Sequence, residues 1–187
     1  LPFSQPLRYQ NSIPPIQKKR FSLRVEFHLV KILRGHFYYE KENIPNVPIV
    51  GVSAVIFVDK SVLLVRRRQE PAKGQWSLPG GAVELGEGIL EALARELQEE
   101  LSVKIAVGGL VGVFDKIFHD HKNQVQYHYV LVDFWGWLVE GTPTPASDVS
   151  EALLVSLDEL EGFDVDQELK ETIKKAYDAW QKSLDSA

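Results

Sequence analysis

Apolar and polar residues follow two different periods along this chain, and the periods mark its elements. From residue 50, the runs VGVSAVIFVD and SVLLVRRR read as two strands joined near Asp59-Lys60-Ser61, a hairpin-like pair. The segment QEPAKGQWSLPGG that follows reads as a loop closing on glycines. Between Glu87 and Leu101 the period changes. Ile89, Leu90, Leu93, Ala94 and Leu97 recur at helical spacing among Glu and Arg, which predicts a helix over that stretch. Strand character returns in VKIAVGGLVGVFDKIF, read as one or two strands. It continues in VQYHYVLVDFWGWLVEG, a long strand apolar on both faces that suits a central, buried position. HDHKNQ between them reads as a turn, TPTPASD as a loop, and EALLVSLDEL as a short strand running into a helical turn. The final segment VDQELKETIKKAYDAWQKSL predicts a helix, with Val165, Leu169, Ile173, Tyr177, Trp180 and Leu184 in one apolar stripe.

The amino-terminal part is patterned less clearly. Residues 1–20 are rich in Pro, Gln and Ser and carry the basic run Lys18-Lys19-Arg20, as in a loosely ordered arm. Residues 21–40 mix β-branched and aromatic residues and have room for one or two strands. Pro45 and Pro48 disfavour a continuous element in the linker that follows. The expected organisation is an amino-terminal extension over 1–45, adding strands or a dimer contact, and a main domain over 46–187. Strands precede, straddle and follow one central helix, with a second helix at the end. That order predicts an α+β fold, an α/β/α sandwich with a mixed sheet between helices, and it does not fit a βαβαβ chain.

Composition narrows the classes. A hydrophobic fraction of 44% in 187 residues is ample for one core. The net charge of −5 argues against general binding to nucleic acid or an anionic membrane, yet it leaves room for a nucleotide carried by metal ions. The absence of cysteine removes disulfides, thiolate catalysis and cysteine-based zinc sites. No run reaches the ~20 apolar residues of a membrane span. The start has neither a signal-peptide apolar region nor a methionine, and methionine is absent throughout. The plain expectation is a cytoplasmic protein.

The chemistry concentrates in PGGAVELGEGILEALARELQEEL, residues 79–101. On a helix, residues three and four apart share a face, so Glu96, Glu99 and Glu100 converge. Three carboxylates this close repel one another unless a cation lies between them. Oxygen-only ligands suit Mg²⁺ or Mn²⁺, hard ions that also meet substrate phosphates. Gly80 and Gly81 let the backbone come close enough for a carbonyl to join the ligands. The competing reading is a solvated acidic helix face, with Arg95 in an i,i+4 salt bridge to Glu91 or Glu99.

Other candidates lie around that helix. Arg66, Arg67 and Arg68 end the second strand, and alternation sends at most two of them to one face. Arg66 or Arg68 is suited to pair with a phosphate or a terminal ribose, and an exposed strand end is the alternative. Trp76 suits either a stacking wall for a base or the core. His119, Asp120 and His121 sit in a turn, where a contact from His119 to the substrate base or ribose is more plausible than a zinc site.

Gly81, Glu87, Arg95-Glu96-Leu97 and Glu99-Glu100 stand at spacings that closely resemble the Nudix box of the MutT-like pyrophosphohydrolases. Ser102 replaces the glycine that normally ends the box, and every charged position is intact. The resemblance implies that Glu96, Glu99 and Glu100 are metal ligands, with the Gly80 carbonyl completing the shell. It implies that Arg95 orients the glutamates and that Glu87 assists through the cluster or a water. An acid from the loop after the long strand, Asp148 or more favourably Glu151, is the expected base outside the helix, and Glu96 is an alternative within it. Beyond the box the strands look like those of bacterial and archaeal members labelled ADP-ribose pyrophosphatase. The expected substrate is therefore a nucleoside diphosphate derivative, first of all ADP-ribose, cleaved to AMP and ribose 5-phosphate. Two readings stand behind it: a nucleoside triphosphate pyrophosphatase of the MutT sanitising kind and a non-catalytic nucleotide-binding regulator. The same resemblance favours a homodimer.

Overall fold

A computed structural model describes residues 47–70 and 72–185, so the expectations for the extension over 1–45 lie outside the described residues. The elements run β1 (Ile49–Val58), β2 (Ser61–Arg67), β3 (Trp76–Ser77), β4 (Gly80–Ala82), α1 (Ile89–Leu101), β5 (Lys104–His119), β6 (Val125–Glu140), β7 (Val149–Ser156) and α2 (Gln167–Asp185). A single turn of 3-10 helix, Leu160–Gly162, precedes α2.

β1 is the axis of one mixed sheet. Along one edge it runs parallel to β6, with Val50 opposite Val130 and Phe57 opposite Trp137. Along the other it pairs antiparallel with β2 near its end and with β4 near its start, where Gly51 faces Ala82 and Ser53 faces Gly80. β5 extends the sheet antiparallel to β6, and β7 and β3 pair antiparallel with β2. β6 thus holds the interior position its two-sided apolar pattern suggested.

Strand alternation sorts the core into two layers. Val52, Ala54 and Ile56 of β1 pack with Ala92, Leu93, Leu97 and Leu101 of α1. Val55 and Phe57 pack on the opposite side with Ile173 and Ala176 of α2. A helix on each face of one sheet is the predicted sandwich. Burying each of Leu93, Leu97 and Leu101 contributes about 2 kcal/mol.

The short strands β3 and β4 lie in the stretch read as a loop, and other elements depart from or sharpen the expected ones. α1 begins at Ile89, not Glu87, because Gly86 lies in the left-handed region and Gly88 is extended, its N–H donating to the Glu91 carboxylate at 2.9 Å. The stretch VKIAVGGLVGVFDKIF, expected as one or two strands, is the single strand β5, with irregular pairing at Val107/Gly109 and Leu110/Gly112. Gly108 permits this, since a Cβ there would meet the Trp135 ring at 2.2 Å. The stripe of α2 holds at Ile173 and at Trp180, which stacks on Phe57 at 4.8 Å, but Leu184 runs out into solvent. At the end of α1, Ser102 takes the left-handed conformation with φ 57°, and its N–H donates to the Gln98 carbonyl. It therefore makes the turn for which the box normally uses glycine.

Candidate active site

The site is built where β4 is laid against β1 directly above α1. Ala54 N–H donates to the Pro79 carbonyl and Val83 N–H to the Val50 carbonyl, strapping residues 79–83 along the first half of β1. Two glycines make the close approach possible. At Gly80, with φ 143°, a side chain would strike the Val52 carbonyl oxygen at 2.1 Å. At Gly81, a Cβ would lie 2.3–2.6 Å from the Glu96 carboxyl group, so the missing side chain is the space that Glu96 occupies.

Glu100 is the buried member of the glutamate set, 7% exposed among the leucines that seat α1. Its Oε2 accepts one hydrogen bond, from the Gly80 N–H at 3.1 Å. Burial pushes its carboxyl up to about 8. Repulsion from Glu96 and Asp148 adds to this, and the Gly80 N–H and the positive charge of Arg67 oppose it. Among the described residues no cation is in hydrogen-bond contact with it, and a carboxylate this deep is costly unless a positive ion joins it.

Arg95 organises the outer part of the cluster. Its Nε and Nη2 donate to the two Glu87 oxygens at 2.8 and 2.9 Å, its Nη1 to Glu96 Oε1 at 2.8 Å, and Nη2 also to the Ala82 carbonyl at 3.0 Å. Glu99 lies 3.6 Å from Nη1. The fork-to-fork pair with Glu87 therefore outweighs the i,i+4 bridge as its main partnership. These bonds hold the Arg95 guanidinium well above its ordinary pKa and draw the Glu87 carboxyl below the usual range. Glu87 also accepts the Glu84 N–H at 3.1 Å, which fixes the loop before the helix.

The loop before β7 reaches the same helix. Thr144 N–H donates to the Leu101 carbonyl and Ala146 N–H to the Glu100 carbonyl, at 2.9 and 2.8 Å. Asp148 is thereby brought near enough to influence Glu100, and its Oδ1 accepts from the Gln69 side chain at 2.8 Å. Glu151 is placed elsewhere, opposite Arg66 across β2 and β7, in a half-exposed ion pair of 3.1 Å. Arg66 also donates to the Gly74 carbonyl and stands over the Trp76 ring. Trp76 packs on Phe163 in the α2 layer. Arg68 donates to the Val149 carbonyl at 3.0 Å. His119 is exposed at the end of β5, beside a turn in which Asp120 accepts the N–H groups of Lys122 and Gln124.

Arg67 is the residue the arginine run concealed. It shares a strand face with Val65, which belongs to the α1 layer, and its charge acts on Glu100. Its Nε is buried without a hydrogen-bond partner, as is Ser77 Oγ across from Val65. The phase of β2 was not readable because Val62, Leu63, Leu64 and Val65 are all buried, two on each layer.

Among the described residues, no group of three His, Asp or Glu side chains already converges as a metal cage. The donor set nonetheless fits a hard divalent cation. It is all oxygen, it contains one buried carboxyl group whose hydrogen bond comes from a backbone N–H, and the bare glycine backbone lies within hydrogen-bond reach of that group.

The comparisons with known proteins identify the family. The family model of the NUDIX domain matches residues 47–179, and the chain belongs to that family. It is a Nudix hydrolase, of the pyrophosphohydrolases that act on nucleoside diphosphate derivatives. An ADP-ribose pyrophosphatase of Methanocaldococcus jannaschii is 34% identical over 133 residues, covering 71% of this chain and 75% of the relative. A CTP pyrophosphohydrolase of Escherichia coli is 40% identical over 85 residues, 45% of this chain and 58% of the relative. Among solved structures, a MutT Nudix hydrolase from Burkholderia pseudomallei superposes with a TM-score of 0.60 at 28% identity, over 70% of this chain and 98% of that one.

Proposed function

We propose that this protein is a divalent-metal-dependent hydrolase that cleaves the diphosphate of ADP-ribose, giving AMP and ribose 5-phosphate. The observation that carries the reading is the buried Glu100 carboxylate, held by the Gly80 N–H and, among the described residues, lacking a cationic hydrogen-bond partner, inside an otherwise intact box. A bound Mg²⁺ or Mn²⁺ would supply neutralisation of the phosphoryl oxygens and a more acidic water. Glu96, Glu99, Glu100 and the Gly80 carbonyl would hold it. Arg95 keeps Glu96 in place through a guanidinium that Glu87 and the Ala82 carbonyl orient. Arg67, with its unpaired Nε, is positioned to meet a phosphoryl oxygen near Glu100. Asp148, next to the cluster, is better placed than Glu151 to take a proton from the attacking water.

ADP-ribose is favoured because the relative bearing that activity matches over most of both chains, whereas the CTP-directed relative matches over about half. Assembly as a homodimer belongs to the same reading and is checked by light scattering on the full chain. The test of substrate is a comparison of kcat/KM with Mg²⁺ for ADP-ribose, NADH, diadenosine tetraphosphate, GTP, dGTP and 8-oxo-dGTP. ADP-ribose is expected to rank first. ADP-ribose inert beside an active deoxynucleoside triphosphate would overturn the choice in favour of a sanitising pyrophosphatase.

A further inference from the structure

Asp148 reaches the neighbourhood of Glu100 through a bulge in β7. On an unbroken strand Val149 and Val155, an even number of positions apart, would face the same side of the sheet. Val155 instead lies in the α2 layer and Val149 in the α1 layer. The ladder with β2 shows why. Arg66 stands opposite Glu151 and Arg67 opposite Val149, so Ser150 is the extra residue between them. Its hydroxyl donates to the Arg66 carbonyl at 3.1 Å, which ties the bulge down. One added residue thus turns the strand over, as bulges do where a side chain must be re-aimed. The residue before Val149 is thereby carried to the side of α1, where its charge acts on Glu100.

The residues that follow β2 then hold Asp148 at two levels. Arg68 fixes its peptide: the Arg68 N–H donates to the Asp148 carbonyl at 2.8 Å, and Nη2 to the Val149 carbonyl at 3.0 Å. Neither bond sets the heading of the carboxylate, whose terminal torsion is intrinsically broad. Gln69 acts on the carboxylate itself. Its Nε2 donates to Oδ1 at 2.8 Å in a part-buried bond, from 79 positions away in the chain. Because the amide is neutral, it orients the acid without cancelling its charge. A proton acceptor slightly out of line loses much of its effect, so a donor that fixes its heading contributes to rate without touching substrate. The backbone bonds from Arg68 do not depend on the Gln69 side chain, so that side chain can be changed with the loop left in place.

We propose that Gln69 is a positioning residue for the hydrolysis, holding the Asp148 carboxylate in the orientation that receives the proton of the attacking water. This rests on the hydrolase reading, and the test separates the two. With Mg²⁺ and the nucleotide of the panel above that is turned over fastest, kcat and KM are measured for the full chain and its variants. These are Gln69→Leu, Gln69→Glu, Asp148→Asn and each Gln69 change combined with Asp148→Asn. Leucine keeps the bulk and drops the donor, whereas glutamate keeps the shape and turns the donor into an acceptor. Asp148→Asn is expected to lower kcat roughly 100-fold or more. Gln69→Leu is expected to lower kcat roughly 10-fold with KM unchanged, and Gln69→Glu at least as much. In the Asp148→Asn background neither Gln69 change is expected to cost anything further, because a residue acting through Asp148 has nothing left to orient. A role in stability alone would lower both backgrounds by the same factor. Gln69→Glu serves if Gln69→Leu fails to fold. Equal losses in both backgrounds, a change confined to KM, or wild-type kcat in the Gln69 variants beside an impaired Asp148→Asn would each overturn the proposal and leave the hydrolase reading standing. Wild-type kcat in Asp148→Asn would remove Asp148 as the acceptor, and this role of Gln69 with it. No hydrolysis of any nucleotide in the panel would remove the hydrolase reading itself, and the proposal falls with it.

Discussion

The two helices are alike in their apolar halves and opposite in their polar ones. α1 and α2 each press one stripe onto the same sheet, from opposite sides. The charges of α1, however, are tied to distant backbone. Arg95 reaches Ala82 and Glu87, Glu100 reaches Gly80, and the α1 carbonyls of Glu100 and Leu101 receive Ala146 and Thr144. The charges of α2 make local or solvent-facing pairs, such as Gln167 with Glu171, Lys170 with the Glu161 carbonyl, and Glu168 with Lys116. A helix that only covers a core can leave its polar face to water. The helix proposed to carry the chemistry has its charged groups fixed by other parts of the chain.

That contrast can be broken most severely at Glu100. Glu100→Gln should lower kcat by roughly 1,000-fold or more while the fold stays intact, as circular dichroism and a melting curve would check. Wild-type turnover in this variant would end the assignment of the cluster. Arg95→Ala should be next, with the apparent affinity for Mg²⁺ falling roughly 10–100-fold, because the partner that orients Glu96 is gone. A metal titration of activity reads this directly, and unchanged metal dependence would reduce Arg95 to a surface ion pair.

The third test uses pH on the metal-free protein. The Glu100 carboxyl is raised to about 8 in the folded state from an ordinary 4.5. Between these values the folded state binds the proton and the unfolded chain does not, so stability falls as pH rises through the window. The loss at the upper end is on the order of 5 kcal/mol. Melting curves from pH 5 to 8.5 should show this slope, Glu100→Gln should flatten it, and added Mg²⁺ should reduce it. The smallest effect belongs to α2. Lys116→Ala should cost no more than ~1 kcal/mol and leave kcat/KM unchanged, since its partners Asp166 and Glu168 are half exposed.

Much of this site was legible in the sequence because helical spacing is a strong code. Glu96, Glu99, Glu100 and Arg95 lie on one helix, and the glycines stand immediately before it. Sheet geometry was less legible. Arg67, not Arg66 or Arg68, faces Glu100, because the doubly buried run from Val62 to Val65 hides which way β2 points. Ser53 and Asp133 meet only through the parallel pairing of β1 with β6, which no local pattern announces. β3 and β4 are too short to show a period, so the segment that carries Trp76 and the glycines read as loop alone. Which of Asp148 and Glu151 lies near Glu100 depends on which acid the loop delivers to α1, a matter of backbone hydrogen bonds rather than residue type.

The bond from the Ala146 N–H to the Glu100 carbonyl has an implication for how such a protein can change over generations. Glu100 is held at both ends, its carboxylate by β4 and its own peptide by the β6–β7 loop. Lengthening that loop upstream of Thr144 leaves both attachments in place, whereas an insertion between Ala146 and Asp148 shifts the acid that faces Glu100. Variation in loop length is thus least costly at residues 142–143, whereas Gly141, where a side chain would meet the Ser102 carbonyl at 2.4 Å, and the stretch from Thr144 to Asp148 are constrained together with α1.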